Sequence, residues 1–230
     1  MHVLGIYTPG GAALMHRALI ELRRSRHRLD ISLGALATPA PALEQLTLIA
    51  GMTGGKLANL NRLAAARPTP EADWVLLIDD DVELGPGFLD RLVYLAEAFG
   101  LDCAQPALRR TSHTAWEVTR RRAALVRETP FVELGPVTLM TATVHRELSP
   151  FPERGMGWGV DQHWAAVARR RGWRLGVIDA VPIRHEARPT ASAYAWQSAI
   201  ADALELLSAR EHLTYREADR TVARHTRLRR

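Results

Sequence analysis

The chain has almost no lysine and almost no cysteine. Lys56 is the only lysine among 30 Lys and Arg residues, and Cys103 is the only cysteine. A single thiol excludes an intramolecular disulfide and fits a reducing, cytoplasmic setting. Long apolar runs are missing too. No stretch approaches the ~20 apolar residues of a membrane-spanning helix, which argues against an integral membrane segment. The start, Met1-His2-Val3-Leu4-Gly5-Ile6-Tyr7, lacks the basic segment and cleavage site of a secretion signal and reads as a first strand. Nucleic-acid signatures are absent, which argues against a nucleic-acid partner. The net charge of +5 comes almost wholly from arginine. Its clusters, Arg23-Arg24, Arg120-Arg121-Arg122 and Arg169-Arg170-Arg171, fall on predicted helices or their ends, where a solvated face is the simpler role. What remains is a 230-residue chain, 47% hydrophobic and 24% charged, enough for one good-sized globular domain with a helical appendage.

Apolar strands alternate with amphipathic helices through the first two-thirds, the pattern of an α/β sandwich. Strands are expected over 2–8, 29–36, 46–50, 74–78, 103–108, 137–144 and 173–178. Helices are expected over 12–26, 57–66, 88–99 and 161–171. The stretch 109–129 is polar, Arg-rich and predicted to be helical in part. Beyond Pro189 the pattern is wholly helical, over 191–212 and 215–225, with a frayed end at 224–230.

The stretch that points to chemistry is Trp74-Val75-Leu76-Leu77-Ile78-Asp79-Asp80-Asp81. A short run of Val, Leu and Ile reads as a strand buried on both faces. Carboxylates at its carboxyl end stand where open α/β sheets hold their ligands. Three adjacent negative charges favour a cation, and in an extended backbone Asp79 and Asp81 share one side while Asp80 takes the other. The duller alternative is a solvated acidic turn. Three further features follow the same order along the chain. They are the turn Gly51-Met52-Thr53-Gly54-Gly55-Lys56 with Asn59 and Asn61 behind it, the run Gly157-Trp158-Gly159-Val160-Asp161-Gln162-His163-Trp164, and His185 after the last strand.

In this order the chain resembles GT-A-fold glycosyltransferases, in particular the inverting family-2 group, over about Val3 to His185. The resemblance implies a Rossmann-related, mixed but mostly parallel sheet flanked by helices. It divides the chain into a nucleotide-sugar transferase domain over 1–188 and a C-terminal helical extension over 189–230. It further implies transfer of a sugar from a nucleoside diphosphate donor to a hydroxyl-bearing acceptor, with Mn²⁺ or Mg²⁺ held against the diphosphate. Asp81, His185 and Asp79 are then the metal ligands, with Thr8, Lys56, Asp79 and Asp80 on the donor. Asp161 is the base that takes the acceptor proton. Trp158 and Trp164 flank it and are suited to stacking on an acceptor. Two departures stand out. Val160 occupies the place of the Glu in the family's usual Glu-Asp pair, and no acidic residue follows strand two in Ser32-Leu33-Gly34-Ala35-Leu36.

Each residue also has a structural alternative. Asp161 reads equally as a helix N-cap, Lys56 as an exposed helix-start residue, His185 as a surface histidine, and one of the two tryptophans as core. Asn59 and Asn61 read as partly structural, while His113, Trp116 and His145 have no partner in the sequence pattern. The extension offers Leu204, Leu206 and Leu207 for covering the cleft or forming a homodimer. Competing functions are a haloacid dehalogenase-like phosphatase using Asp79 and Asp81, a nucleotidyltransferase, and a non-catalytic arginine-rich binding module.

Overall fold

The computed structural model describes residues 1–112, 114–153, 157–185 and 196–228. His113, Gly155, Met156 and the start of the expected 191–212 helix lie outside them. The strands are β1 (His2–Tyr7), β2 (Asp30–Ala35), β3 (Thr47–Ile49), β4 (Trp74–Ile78), β5 (Val82–Glu83), β6 (Cys103–Leu108), β7 (Val126–Thr129), β8 (Val137–Thr141), β9 (Leu175–His185) and β10 (Ala223–His225). The helices are α1 (Ala12–Leu22), α2 (Lys56–Ala66), α3 (Phe88–Ala98), α4 (Ala142–Leu148), α5 (Val160–Arg171), α6 (Trp196–Ser208) and α7 (Tyr215–Ala218). No helix among the described residues is long and apolar enough to cross a membrane.

The sheet runs in the order β10-β7-β9-β6-β8-β4-β1-β2-β3, with β5 off this path against β9. β1, β2, β3 and β4 are mutually parallel, β8 is antiparallel to both β4 and β6, and β6 is parallel to β9. Since β7 opposes β9 and β10 opposes β7, every strand on the path except β7 and β8 points the same way. This is a mixed, mostly parallel α/β sheet. β4 shows why its sequence is apolar throughout. Leu76 and Ile78 enter the core shared with α1 and α3, whereas Val75 and Leu77 enter the core shared with α2, α4 and α5. A strand covered on both faces has no polar side to show. Cys103 is buried in the second core, where burial pushes its thiol up to about 12 and leaves it inert.

Four local expectations are corrected. α1 ends at Leu22 rather than near Arg26, because the Ser25 hydroxyl donates to Asp90 (2.5 Å) and accepts from the His27 N–H (3.1 Å), a local pairing that competes with the helix. Among its described residues, the stretch 109–129 holds the 3₁₀ turn Glu117–Thr119 and the strand β7 rather than an α-helix. Two of its carbonyls are satisfied by a side chain. Buried Arg127 donates to Val118 O and Arg120 O, both at 2.7 Å. β8 gives way at Thr141 to α4, whose N-cap is the Thr141 hydroxyl accepting from Val144 N–H. The C-terminal region is not wholly helical, since residues 223–225 add an edge strand to β7.

The arginine clusters are largely engaged within the chain. Arg120 and Arg122 pair with Glu117, and Arg169 and Arg170 with Glu211. One tryptophan contact ties α7 to the preceding chain. Trp116, tilted against Phe131 with centroids 4.3 Å apart, stacks on Tyr215 of α7 at 4.6 Å.

Candidate functional site

The strand directions dictate where chemistry gathers. β1, β4 and β9 run the same way, so their carboxyl ends place Thr8, Asp79 to Asp81 and His185 at one edge of the sheet. β8 runs oppositely, and its lead-in, Glu133 to Pro136, therefore starts from the same edge. α2 and α5 run back across the sheet before β4 and β9, so Lys56 and Asp161 in their first turns belong to that edge as well.

The acidic triplet divides its work. Asp79 Oδ1 lies 2.6 Å from Lys56 Nζ, and the ammonium also reaches Gly135 O at 3.4 Å. Burial pushes the Asp79 carboxyl above its ordinary value, against the pull of Lys56. Asp80 turns the other way, as alternation predicts. Its Oδ2 accepts from Thr8 N–H (2.6 Å) and the Thr8 hydroxyl (2.7 Å), tying the β1–α1 turn to the end of β4. A Cβ on Gly11 would lie 1.9 Å from that oxygen, so the tie requires glycine there. Gly11→Ala is expected to lower stability by about 1–3 kcal/mol through overpacking, measured by urea unfolding.

Asp81 faces His185, with Oδ2 3.2 Å from Nε2. The pairing follows from β5, whose Val82 lies in register with His185 on β9. The His185 backbone N–H donates to Ser112 Oγ at 3.0 Å, which fixes the strand end. Burial works to raise the Asp81 carboxyl, but the hydrogen bond and charge of His185, with Lys56, outweigh it and hold it below its ordinary value. Asp81 Oδ1 is buried and has no hydrogen-bond partner among the described residues. No three His, Cys, Asp or Glu side chains among these residues form a metal-holding group. The expected trio of Asp79, Asp81 and His185 therefore does not assemble, because Lys56 takes Asp79. Asp81 and His185 remain as the pair that fits a cation.

Asp161 is not the helix cap. Gly159, in the left-handed region at φ 82°, is the N-cap of α5, and Asp161 lies in the first turn. Its Oδ1 accepts from Gln162 N–H at 2.9 Å, and the Leu134 N–H works with that bond to favour the ionised form. Asp161 borders a small apolar cavity with Cys103, Val132, Trp164 and Trp173. Burial in these surroundings raises its carboxyl to about 6. Trp164 does not flank it as an acceptor surface. It is 4% exposed and packs on Phe151 with centroids 5.1 Å apart. Val160, Trp164 and Ala168 form the buried stripe of α5 at helical spacing. Trp158 is half-buried ahead of that helix.

Two features were not anticipated from the sequence. Glu133 is a second carboxyl within the electrostatic reach of Asp161, Asp79, Lys56 and His185. Burial and the Asp161 charge raise it to about 7 against the opposing pull of His185 and Lys56. Its Oε2 is buried with no hydrogen-bond partner among the described residues. A lone Glu in Phe131-Val132-Glu133-Leu134-Gly135-Pro136 carries no periodic signal that would have marked it. The second feature is a brace on the turn bearing Asp161. Leu213 exchanges bonds with Gln162 (N–H to Gln162 O, 3.1 Å, and O from Gln162 Nε2, 2.9 Å), and His163 Nδ1 meets Glu211 O at 2.8 Å. Leu206 and Leu207 of α6 turn inward, Leu207 against Gly159, whereas Leu204 stays 64% exposed. Asn61 is structural, bonding the backbone of Phe151 in both directions, and Asn59 Oδ1 accepts from Arg62. His145 meets Ser149 and the Phe151 ring.

No protein-family model matches the chain, and no curated protein matches its sequence. Solved structures do match. S. aureus TarS 1–349 in complex with UDP-GlcNAc is 13% identical with a TM-score of 0.61, covering 90% of this chain and 65% of its own. GalNAc-T7 with UDP, GalNAc and Mn²⁺ is 10% identical with a TM-score of 0.62, covering 90% and 48%. The mannosyltransferase PcManGT from Pyrobaculum calidifontis, with GDP-Man and Mn²⁺, is 14% identical with a TM-score of 0.63, covering 94% and 66%. The chain thus spans from about half to nearly two thirds of the length of these proteins. At such identities the likeness is one of architecture, and the architecture of this chain is the GT-A glycosyltransferase fold.

Proposed function

We propose that the protein is a metal-dependent glycosyltransferase that moves a sugar from a nucleoside diphosphate to an acceptor hydroxyl, with inversion at the anomeric carbon. One observation carries this reading. The segment Glu133 to Pro136 meets Lys56 through Gly135 O (3.4 Å) and accepts from Asp79 N–H at Pro136 O (2.8 Å), while its Leu134 N–H favours the ionised form of Asp161. A buried carboxyl suited to accept a proton and a cationic, metal-competent corner are thereby set on one rigid lip of the sheet.

The Asp81–His185 pair suits Mn²⁺ or Mg²⁺, since a hard carboxylate oxygen and an imidazole are both ligands such ions accept. The orphaned, buried Asp81 Oδ1 is the atom that a cation satisfies. When bound, the ion supplies Lewis-acid stabilisation of the departing diphosphate. That GalNAc-T7 was solved with UDP, GalNAc and Mn²⁺, and PcManGT with GDP-Man and Mn²⁺, supports this assignment. Lys56 contributes a second positive charge at the diphosphate end. Asp161 accepts the acceptor's proton as its oxygen attacks. Inversion at the anomeric carbon follows from the resemblance to the inverting family-2 group, in which the acceptor oxygen attacks from the face opposite the departing diphosphate. Trp158 offers the acceptor an apolar surface next to Asp161.

Thermal melting with UDP, GDP, UDP-GlcNAc and GDP-Man, each with and without Mn²⁺, tests the reading. The expected result is stabilisation by one nucleotide series only when Mn²⁺ is present, and loss of that stabilisation in Asp81→Ala. No shift with any of the eight combinations would overturn it.

A further inference from the structure

Glu133 is a half-buried residue with a buried Oε2 that the mechanism above does not use, and its place is specific. Its own segment meets Lys56 through Gly135 O and Asp79 N–H through Pro136 O, and its Leu134 N–H favours the ionised form of the Asp161 carboxyl. The side chain lies within the electrostatic reach of Asp161, His185, Lys56 and Asp79. In a transfer reaction, the group between the proton acceptor and the leaving diphosphate is the sugar in transit. The Glu133 backbone is held independently of any substrate, with its N–H donating to Gln105 Oε1 (2.6 Å) and its O accepting from the Thr138 hydroxyl (3.2 Å). Its Oε2, by contrast, is buried without a partner among the described residues. A buried carboxyl oxygen left unbonded costs free energy, and a fold retains one where a ligand completes it.

We propose that Glu133 is a specificity-determining residue that binds a hydroxyl group of the transferred sugar through its unpartnered Oε2. The inference rests on the transferase reading above. A sugar hydroxyl is the fitting ligand class, because it donates one short hydrogen bond and needs no opposite charge in a corner that already holds Lys56. A site built to bond a hydroxyl discriminates strongly against ligands that lack it, since their binding leaves the buried acceptor unsatisfied.

Calorimetric titration in MnCl₂ of wild type, Glu133→Ala and Glu133→Gln with UDP, UDP-GlcNAc, GDP and GDP-Man tests this. The expected outcome is that Glu133→Ala weakens the sugar nucleotide by about tenfold or more while the parent diphosphate binds as in wild type. Glu133→Gln should lose less, because its amide can still bond a hydroxyl. Unligated melting supplies a readout that a structural role would move differently. Removing an unsatisfied buried carboxyl leaves the melting temperature unchanged or raises it. Equal affinity of variant and wild type for both members of a pair would overturn the proposal and leave the transferase reading standing. Parallel weakening of diphosphate and sugar nucleotide, or a lowered melting temperature in both variants, would also overturn it. Binding of none of the four ligands by wild type would remove the transferase reading itself.

Discussion

Asp161→Asn is expected to cut sugar transfer by about 10²–10⁴-fold, the usual worth of a positioned general base, while nucleotide affinity stays at the wild-type level. The separation follows from geometry. The proposed nucleotide corner comprises Asp79, Asp81, His185 and Lys56, whereas the Asp161 carboxylate accepts from the backbone N–H of Gln162 and pairs with none of these four side chains among the described residues. The amide keeps an oxygen for Gln162 N–H but cannot accept a proton. The pH dependence gives a second test. A base works when ionised, so wild-type transfer should rise as pH passes through about 6, the value to which burial raises this carboxyl. Stability moves the other way. A carboxyl raised in the folded state contributes stability below its unfolded value that is lost as pH rises through the folded one. The melting temperature of Asp161→Asn relative to wild type should therefore improve between pH 5 and pH 7.5. Kinetics at saturating donor, beside melting curves across that range, check both. Equal transfer rates in the two proteins would remove Asp161 as the base.

The sequence made the strand β4 and its acidic end legible because that information is local. A run buried on both faces must be apolar throughout, and a carboxylate cluster at its carboxyl end has few other uses. The neighbour of Asp81 was not local. His185 reaches it through a two-residue strand, Val82–Glu83, too short to leave a pattern, and the expectation rested on family likeness. Trp164 was open to a better reading, since Val160, Trp164 and Ala168 recur at helical spacing, and that stripe places the indole in the core. Arg- and Ala-rich composition favoured helix at the C-terminus. Pairing with β7 turned residues 223–225 into strand instead, a tertiary contact overriding local propensity. Glu133 depended on topology alone. Only the reversal of β8 against β4 brings its lead-in to the edge that holds Asp79 to Asp81 and His185. The architecture weighs against the phosphatase alternative, because the sheet is that of the GT-A glycosyltransferase fold.

Asp179→Ala is expected to destabilise the protein by about 3–5 kcal/mol, the cost of leaving a buried charge without its partner. Asp179 lies mid-way along β9, and its side chain and that of Arg127 are 0% and 2% exposed. Arg127 Nε and Nη2 donate to its two oxygens at 2.8 and 3.1 Å, and Arg122 N–H adds a third bond at 2.6 Å. The remaining guanidinium donors hold Val118 O and Arg120 O, so this one ion pair organises the irregular stretch between β6 and β7. Loss of Asp179 strands the guanidinium; loss of both charges does not. Arg127→Met combined with Asp179→Ala should therefore recover part of the deficit, although the carbonyls of Val118 and Arg120 and the Arg122 N–H lose their partners. Urea unfolding of the two single variants and the double variant measures the coupling between them. The effect reaches the site because β9 continues six residues from Asp179 to His185. At temperatures where Asp179→Ala remains folded, its Mn²⁺-dependent nucleotide affinity should fall, since the strand that delivers His185 to Asp81 has lost its central anchor. A variant of wild-type stability would show the pair to be incidental to the fold.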